Sequence, residues 1–233
     1  MQESEFKADA ASRQYTGVAG REYHEGKRAL APGALGWVME LRAEKFQFQV
    51  QPEDVVFELG VGAGWNLGKL RCGRRIGSDA ADFLAGPVRA KGIRFVSRSQ
   101  EVTDASVDVA LCHHALEHLL EPVAALRELQ RLLKPGGKLL LHVPWERETR
   151  YARYRSAEPN HHLYTWNAQT LGNLISLVGF EVEQVGVRRY GYDRFAANLA
   201  VKLRLGATGF RLLRAMLIAL RPLREVELLA LKP

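Results

Sequence analysis

The feature that most constrains the fold is a short apolar run that ends in three closely spaced glycines. Residues 55–59 read VVFEL, and Gly60, Gly62 and Gly64 follow directly. A run of this length before a glycine cluster is typical of a buried strand that enters a tight turn. Glycines in such a turn let the backbone approach a bound ligand closely. The pattern therefore predicts the first strand of an α/β fold with a ligand site at its end.

Further apolar runs follow the glycine turn and alternate with helical patterns. They lie at residues 75–79, 93–96, 107–112 and 138–143. We expect a short helix over residues 65–70 and a longer one that begins at Pro122, carries a leucine stripe and stops at Pro135. Strands that alternate with helices predict right-handed crossovers and a parallel sheet covered on both faces.

The C-terminal part predicts a different arrangement. A helix near residues 168–178 leads into an apolar run at 180–185, and the last run, at 225–231, comes much later. Two strands joined by a helical excursion fit an antiparallel pair at the edge of a sheet. We therefore predict one doubly wound, Rossmann-like α/β domain over residues 1–233. Its seven strands are expected to be mostly parallel with a reversed edge strand, and helices are expected at the N-terminus and before the last strand.

An acidic residue supports a ligand at the glycine turn. Asp79 ends the second strand nineteen residues after Gly60, an offset at which a carboxylate can bind both hydroxyls of a ribose. The glycine spacing is G-x-G-x-G, whereas the pyrophosphate of a dinucleotide is cradled by G-x-G-x-x-G. The pattern favours a nucleoside over a nicotinamide dinucleotide, and any side chain at Gly62 should obstruct that nucleoside. The alternative is a tight turn that binds nothing.

The ordered set of motifs resembles the class I S-adenosylmethionine-dependent methyltransferases. The motifs are ELGVGAG at residues 58–64, GSD at 77–79, SVDVALCHHALEH at 106–118 and LKPGGKLLL at 133–141. The motifs cover about residues 54–145, and the resemblance implies that this range is the cofactor-binding core. The resemblance implies that S-adenosylmethionine lies across the C-terminal strand ends and leaves as S-adenosylhomocysteine.

The resemblance also implies which residues bind the cofactor. They are Glu58, Gly60, Gly62, Gly64, Asp79, Ala80, Ser99, Gln100, Cys112 and His113. Asp79 would lie on the ribose hydroxyls, and Cys112 and His113 near the sulfonium. The segment after the third strand is shorter than in family members that carry an acidic residue there, so the adenine partner stays open between Ser99, Gln100 and Glu101.

Histidines are the candidate general bases for such a reaction. Six of the seven follow residue 112, and an unperturbed histidine pKa of about 6.5 suits proton removal at neutral pH. We predict His114, His162 or His161 as the base, whereas the LEH pattern of the family gives His118 a structural role. His114, Glu117 and His118 have helical i, i+3, i+4 spacing, and similar residues bind a divalent metal in some quinone-pathway O-methyltransferases. Since the Glu-His pair is widespread in the family without a metal, we predict no metal.

Two segments outside the motifs are candidates for holding the acceptor. Residues 144–167 form a long connection with two tryptophans and three tyrosines, which predicts either an ordered acceptor loop with an aromatic pocket or a satellite core over the sheet. Residues 1–50 are predicted to be a helical cover. Within it Tyr15, Tyr23, His24 and Arg28 either close over the cofactor or belong to an ordinary helix surface.

Positive charge is concentrated near the C-terminus. Residues 186–224 hold nine basic residues and the single acid Asp193, in a chain of formal net charge +7. Residues 209–220 within a basic helical insert (194–222) have an amphipathic pattern, with a stripe formed by Arg204, Arg211, Arg214 and Arg221. Either this helix packs on the domain with solvated arginines, or it contacts an anionic surface such as a membrane, a phosphate-bearing substrate or nucleic acid. The absence of aromatics on its polar face favours lipid or phosphate.

Composition excludes several classes. Hydrophobic residues make up 47% and charged residues 25%, an ordinary globular mixture, and two cysteines form no disulfide framework. The first residues lack the apolar core of a signal peptide, and no apolar run is long enough to span a membrane. We expect a reduced, cytoplasmic protein, membrane-peripheral if its basic helix meets lipid. The predicted function is methyl transfer to a small-molecule, sugar or lipid-linked acceptor, above all at oxygen. The alternatives are an RNA methyltransferase and a non-catalytic binding or scaffold module.

Overall fold

A seven-stranded sheet flanked by helices organises the computed structural model, which describes residues 14–26, 29–146, 153–156 and 160–233. The strands are β1 (Val55–Leu59), β2 (Arg74–Ser78), β3 (Arg94–Val96), β4 (Val107–His113), β5 (Leu133–Pro144), β6 (Glu181–Tyr190) and β7 (Leu223–Leu231). The helices are α1 (Gly17–Gly26), α2 (Ala34–Gln47), α3 (Ala85–Arg89), α4 (Pro122–Leu132), α5 (Ala168–Val178), α6 (Asp193–Lys202) and α7 (Gly206–Leu220). Short 3-10 helices cover Asp82–Leu84, Ser99–Glu101 and Leu116–His118.

The strand order β3-β2-β1-β4-β5-β7-β6 confirms the predicted fold class. Strands β1 to β5 pair in parallel, whereas β7 runs antiparallel to both β5 and β6. The reversed strand is therefore β7, and it lies between β5 and β6. Because β1 to β5 are parallel, their C-terminal ends meet at one edge of the sheet, where open α/β folds bind ligands.

Apolar residues cover both faces of the sheet. On one face Leu126, Leu129 and Leu132 of α4 are fully buried together with Leu171 and Ile175 of α5, which confirms the leucine stripe. On the other face, residues of α2 such as Ala43 and Phe46 pack over β1 and β4. Two covered faces explain why β1 is a continuous apolar run rather than an alternating one.

The helix predicted over residues 65–70 is wrong, because the chain makes a series of turns there. Gly64 has a φ of 73°, and the bonds Gly64 N–Val61 O and Leu70 N–Leu67 O close four-residue turns. The bond Gly68 N–Gly64 O forms one helical-type turn that does not continue. The Arg75 guanidinium of β2 donates to the carbonyl of Gly68 at 3.2 Å, so a distant side chain satisfies this part of the turns. Side-chain partners and glycines thus replace the helix.

The insert between β6 and β7 consists of α6 and α7, which pack on α2. Phe210 of α7 is fully buried and stacks on Trp37, with ring centroids 6.2 Å apart. Arg211 makes two hydrogen bonds to Glu44, at 2.6 and 2.8 Å, and Arg214 donates to Asp193 at 2.7 Å. Two of the four arginines of the predicted stripe, Arg211 and Arg214, therefore bind acidic residues of the protein itself, whereas Arg204 and Arg221 are exposed. Among the described helices, none has the length and apolar character to cross a bilayer.

Candidate active site

A cavity of about 1370 Å³ opens at the C-terminal ends of the parallel strands. Its wall includes the ends of β1, β2, β4 and β5 and the start of β7. Pockets for one small ligand usually measure about 300–1,000 Å³, so this cavity has room for two molecules side by side.

The glycine turn forms one wall of the cavity, with Gly60 and Gly62 on its surface. Backbone N–H groups of Gly60 and Val61 donate to the Ser78 carbonyl at 2.9 and 3.0 Å, which fixes the turn against β2. Gly60 has a φ of 72°, and a Cβ there would lie 2.5 Å from the Ala115 Cβ. Gly62 has a φ of 52°, but a Cβ there would meet nothing within 4 Å. Only Gly62 therefore faces open space, as a ligand cradle requires.

Asp79 lies on the same wall and is fixed by the backbone. Its carboxylate accepts hydrogen bonds from the N–H of Gly62 at 2.8 Å and from that of Ala81 at 2.9 Å. Asp79 and the exposed Ala80 both line the cavity. The glycine turn and the acidic residue are thus one unit, although seventeen residues separate them in the chain.

Glu58, Gly64 and Cys112 do not line the cavity, contrary to expectation. Gly64 packs against Ile93, and the Cys112 thiol is buried within β4, where burial raises its pKa. Glu58 lies behind Asn66, whose amide donates to the Glu58 carboxyl at 2.5 Å. Burial raises the pKa of Glu58 to about 8, against a smaller lowering by the Asn66 hydrogen bond. Asn66 therefore takes the place at the wall that the resemblance implied for Glu58.

The adenine partners predicted after the third strand are also misplaced. Ser99 donates to Glu128 of α4 at 2.9 Å, and neither Ser99 nor Gln100 lines the cavity. The 3-10 helix Ser99–Glu101 turns the Ser99 side chain towards α4 and leaves Gln100 exposed. Ser97, immediately after β3, does line the cavity and donates to Asp82 at 2.9 Å.

A buried carboxylate on β7 collects basic side chains, and we call this group the Glu225 cluster. It comprises Lys45, His113, His114, His142 and Glu225. Glu225 is 2% exposed, and its oxygens lie 2.6 Å from Lys45 Nζ, 3.1 Å from His114 Nε2 and 3.5 Å from His142 Nδ1. Lys45 also lies 3.0 Å from His113 Nε2, and the rings of His113 and His114 stack at 4.4 Å.

Charges within the Glu225 cluster follow from its contacts. Burial opposes ionisation of Glu225, but the hydrogen bond from His114, the His142 ring 3.5 Å away and the charge of Lys45 hold its pKa far below the usual range. Burial lowers the pKa of His114, although the hydrogen bond to Glu225 opposes this, and it lowers the pKa of His142 to about 4. The cluster thus contains a carboxylate and neutral imidazoles at neutral pH.

The tautomer of His114 follows from its partner. An ionised carboxylate only accepts hydrogen bonds, so His114 Nε2 carries the proton and donates it to Glu225. Nδ1 then keeps a lone pair. His114 is partly exposed and lines the cavity, and nothing in the described part of the chain hydrogen-bonds to Nδ1. His114 is therefore a neutral imidazole with a lone pair on Nδ1, and the buried Glu225 carboxylate holds its ring in place.

A second group, the Glu117 cluster, lies on the same cavity and comprises Tyr15, Glu117, His118, Glu146 and His162. His162 Nδ1 lies 2.9 Å from Glu146, and the Tyr15 hydroxyl lies 2.7 Å from His118 Nδ1. The His118 and His162 rings meet edge to face at 4.9 Å. His162 is thus a second ordered histidine on the wall, whereas His161 does not line the cavity.

The shared helical face considered for His114, Glu117 and His118 is wrong. His114 has a φ of 53° and only a short 3-10 helix follows it, so its side chain joins Glu225, whereas Glu117 and His118 stay together with their nearest atoms 3.9 Å apart. Among the described residues, two other sets bring ligand atoms within 4.8 Å of one another: His113, His114 and Glu225, and Glu117, His118 and His162.

The long loop and the N-terminal helix contribute to the cavity differently from what was expected. The loop supplies Glu146, Asn160 and His162, whereas Trp145 and Trp166 pack against the sheet core and Tyr154 is 92% exposed. The described tryptophans and tyrosines of the loop therefore do not line this cavity, and residues 147–152 and 157–159 lie outside the described residues. Of the expected cover, Tyr15, Tyr23 and His24 line the cavity, and Arg28 lies outside the described residues.

Several residues at the cavity carry little signal in the sequence. Lys45 ends the charged stretch ELRAEK of α2 and shows no pattern that distinguishes it from surface lysines. Glu225 and Glu227 alternate with apolar residues in an otherwise apolar strand, and an acid in such a strand is the one sign that could have indicated a buried carboxylate. Asn66 and Ser97 follow strands β1 and β3, a position shared by many unremarkable polar residues.

Comparison with known proteins identifies the family. A family model described as a methyltransferase domain matches residues 33–185, well over half of the chain. The chain therefore belongs to the methyltransferase domain family, and its fold is that of the class I members, whose cofactor is S-adenosylmethionine.

Curated relatives cover part of the chain. It is 32% identical over 135 residues to a "Probable S-adenosylmethionine-dependent methyltransferase" of Mycolicibacterium smegmatis. The aligned residues cover 55% of this chain and 52% of that protein. It is 30% identical over 110 residues to an uncharacterized 37.1 kDa protein in transposon TN4556 of Streptomyces fradiae, which is 41% of this chain and 32% of that protein. The matches thus span about half or less of these relatives.

Solved structures share the fold at low sequence identity. A Burkholderia thailandensis 1,6-didemethyltoxoflavin-N1-methyltransferase, with 1,6-didemethyltoxoflavin and S-adenosylhomocysteine bound, is 18% identical with a TM-score of 0.61, covering 98% of this chain and 89% of that one. The [4+2]-cyclase SpnF is 22% identical with a TM-score of 0.58, covering 84% and 79%. These neighbours confirm the Rossmann-like fold but not the acceptor.

Proposed function

We propose that this chain methylates a hydroxyl group of a small acceptor, a class that includes sugars and lipid-linked molecules, and that His114 removes the hydroxyl proton. The observation that carries this proposal is the His114–Glu225 contact of 3.1 Å at a cavity large enough for cofactor and acceptor. Oxygen is the acceptor atom that most needs such a base, because a neutral hydroxyl is a weak nucleophile.

The cavity wall fits S-adenosylmethionine. Gly62 leaves open space where any side chain would stand, and Asp79 is fixed beside it by two backbone N–H groups. Gly60, Gly62, Asp79, Ala80 and Asn66 would hold the cofactor. When bound, S-adenosylmethionine supplies a methyl group on a positively charged sulfur, so the protein needs no further group to activate it.

The remaining task of the protein is to position the acceptor and remove a proton. His114 Nδ1 accepts the proton of the acceptor hydroxyl, and the resulting imidazolium is stabilised by Glu225 through the hydrogen bond at Nε2. This is the arrangement in which a carboxylate holds a histidine in one tautomer and balances its charge. A base in this position contributes typically about 10²–10⁴-fold in rate.

Lys45 has an indirect role in this proposal. Its ammonium lies 2.6 Å from Glu225 and 3.0 Å from His113 Nε2, so it keeps Glu225 ionised and fixes the His113 ring against His114. Burial lowers the pKa of Lys45, and the charge of Glu225 opposes this. We assign Lys45 and Glu225 as positioning residues, since both act on the acceptor through His114.

The rim of the cavity indicates an acceptor with a negative group and an apolar part. Arg189 and Arg194 line the cavity, and within the described residues neither makes an ion pair. Phe48 and Phe195 line it too, although they are 65% and 59% exposed. Unpaired cations beside exposed aromatics suit a phosphate- or carboxylate-bearing acceptor with an apolar portion.

An extract assay tests the proposal. The purified protein is incubated with S-adenosylmethionine carrying a labelled methyl group and with separate water-soluble, lipid and RNA fractions of bacterial cells. We expect label in a small or lipid molecule as an alkali-stable methyl ether, and its loss with His114→Ala. Label in RNA would favour the RNA methyltransferase alternative, and label on nitrogen or carbon would contradict the hydroxyl acceptor. No label in any fraction, despite cofactor binding, would favour a non-catalytic module.

A further inference from the structure

Helix α7 has an exposed apolar face that the fold leaves uncovered. Leu212, Met216 and Leu220 are 67%, 51% and 76% exposed and follow one another at intervals of four residues, which places them in one row along the helix. Small exposed residues flank the row, namely Ala207, Thr208, Ala215 and Ala219. We call this surface the outer face of α7.

The opposite face of α7 is anchored, so the outer face cannot turn inward. Phe210 is fully buried, and Leu213 and Leu217 pack beside it against α2 and α6. Arg211 and Arg214 are held by Glu44 and Asp193. The helix therefore has apolar side chains on two sides, and within the described residues only the side that holds Phe210 is covered by other helices.

Cations stand at both ends of the outer face. Lys202 and Arg204 precede the helix, Arg221 follows it, and all three are exposed. No ion pair involves them within the part of the chain that the structure describes. The sequence has no acidic residue between Arg194 and Arg224, and Glu44 of α2, which lies against α7, is paired with Arg211. The exposed cations at the two ends of α7 therefore give this surface a positive charge.

This surface continues into the rim of the cavity. Leu223 follows α7 by three residues, is 43% exposed and lines the cavity. Phe195 and Arg194 on α6 line it as well. A partner that covers the outer face of α7 would therefore lie next to the entrance through which an acceptor passes.

We propose that the outer face of α7 docks the protein on a bilayer that contains anionic lipids, with the cavity entrance at the level of the headgroups. An amphipathic helix that lies in the interface buries its apolar side chains at the acyl boundary, while flanking cations bind the headgroups. The charge distribution favours this occupant over a second copy of the chain, because a symmetric dimer through this face would bring like charges together. The Arg211 and Arg214 side chains, which bind the protein, take no part.

Vesicle flotation tests the docking without cofactor or acceptor. We expect the purified protein to float with phosphatidylcholine vesicles that contain phosphatidylglycerol, to bind poorly to phosphatidylcholine alone, and to dissociate as salt is raised. Each cation near an anionic surface contributes about 1 kcal/mol, so the variant Lys202→Glu/Arg204→Glu/Arg221→Glu should bind on the order of 100-fold more weakly. The variant Leu212→Gln/Met216→Gln/Leu220→Gln should also lose binding.

Matched controls separate this surface from general effects. Lys69→Glu/Arg71→Glu/Arg127→Glu makes the same charge change at exposed sites elsewhere, and Leu177→Gln changes a leucine of α5 that is 84% exposed. Both should float like the wild type. The proposal is overturned if the wild type does not bind the anionic vesicles, if binding ignores the α7 variants, or if the controls lose as much. It is also overturned if the wild type is a dimer that the apolar α7 variant turns into a monomer. Since no reaction is measured, failure of the methyl-transfer proposal would leave this result unaffected.

Discussion

At the scale of single residues, the central feature is a carboxylate that the fold buries among basic groups. Glu225 is 2% exposed, and it is tolerated in the sheet because Lys45, His114 and His142 surround it. Removing one partner of such a group leaves the other charge buried and uncompensated, which is costly. The Glu225 cluster should therefore respond strongly to single substitutions.

The first prediction concerns His114. Its replacement by alanine should lower the rate of methyl transfer by about 10²–10⁴-fold, because the acceptor hydroxyl loses its base, while S-adenosylhomocysteine affinity stays unchanged. The measurement is single-turnover transfer of labelled methyl to the acceptor found in the extract assay. His162→Ala is the comparison, since it removes the other ordered histidine of the cavity. A larger loss with His162→Ala than with His114→Ala would move the base to the Glu117 cluster.

The second prediction concerns the pH dependence of His114. Burial lowers its pKa, and the hydrogen bond to Glu225 partly restores it. The neutral base should therefore persist below pH 6.5 and be lost only as the pH falls through that lowered pKa. In Glu225→Gln the restoring charge is gone, so the pKa of His114 should fall further. Histidine NMR titration checks both; an unchanged or higher pKa in the variant would contradict the contact.

The third prediction concerns Glu58, whose pKa burial raises to about 8. In the unfolded chain this carboxyl has its ordinary pKa of 4.5. The stability that the neutral Glu58 contributes is therefore fully present below that pH and is lost progressively as the pH rises through 8. Glu58→Gln mimics the neutral carboxyl. Relative to the wild type, it should gain about 3 kcal/mol of unfolding free energy between about pH 5.5 and about pH 7.5. Urea unfolding measures this, with the exposed Glu53→Gln as control; equal shifts in both variants would contradict the burial.

At the scale of elements, two glycines with positive φ allow the effect of backbone strain to be measured apart from the effect of a side chain at the ligand site. Gly62 and Gly136 both have positive φ, 52° and 74°, and a Cβ at either would meet nothing within 4 Å. Gly62 lies at the cavity, whereas Gly136 lies at the start of β5, at the other edge of the sheet. The two sites thus form a matched pair.

The fourth prediction uses this pair. Gly62→Leu and Gly136→Leu should each destabilise the fold by about 1–2 kcal/mol, because a side chain disfavours this backbone region. Only Gly62→Leu should weaken S-adenosylhomocysteine binding, by at least about tenfold, as its side chain occupies the cradle. Calorimetric titration of both variants measures the difference. Equal affinities would mean that the ligand lies elsewhere.

The fifth prediction concerns the helical insert. Phe210 is fully buried against Trp37, so Phe210→Ala should cost about 3–5 kcal/mol of unfolding free energy. Phe48→Ala, at a side chain that is 65% exposed, should cost less than about 0.5 kcal/mol. Chemical denaturation measures both. A small loss for Phe210→Ala would show that the insert is not integral to the fold.

At the scale of the whole molecule, the sequence predicted what local patterns encode. The short apolar runs correctly predicted the seven strands of the sheet, and the ordered motifs correctly indicated the family and its cofactor. The helix over residues 65–70 was wrong because the Arg75 side chain of β2 bonds to the carbonyls of Leu67 and Gly68, a tertiary contact that the local pattern does not encode. Likewise, the cavity is lined by Asn66 and Ser97, whereas Glu58 and Ser99 were predicted to line it. The direction in which each side chain points decides this, and the spacing of residues in the sequence does not encode that direction.

The Glu225 cluster shows the same limit for the candidate site. Its members come from α2, β4, the residue after β4, β5 and β7, which are distant in the chain. The antiparallel pairing of β7 with β5 places Glu225 opposite Pro144, two residues from His142, so that its carboxylate lies 3.5 Å from His142 Nδ1. His114 was predicted from its place after β4. Its partner could not be, because no local pattern connects residues 114 and 225.

The most direct test of the account is calorimetric titration of the purified protein with S-adenosylhomocysteine. The account predicts one site per chain for the wild type and binding at least about tenfold weaker for Asp79→Ala, since that carboxylate contacts the ribose in the proposed site. Asp104→Ala, which changes an exposed aspartate, should bind like the wild type. A folded wild-type protein that binds neither S-adenosylhomocysteine nor S-adenosylmethionine would contradict the account.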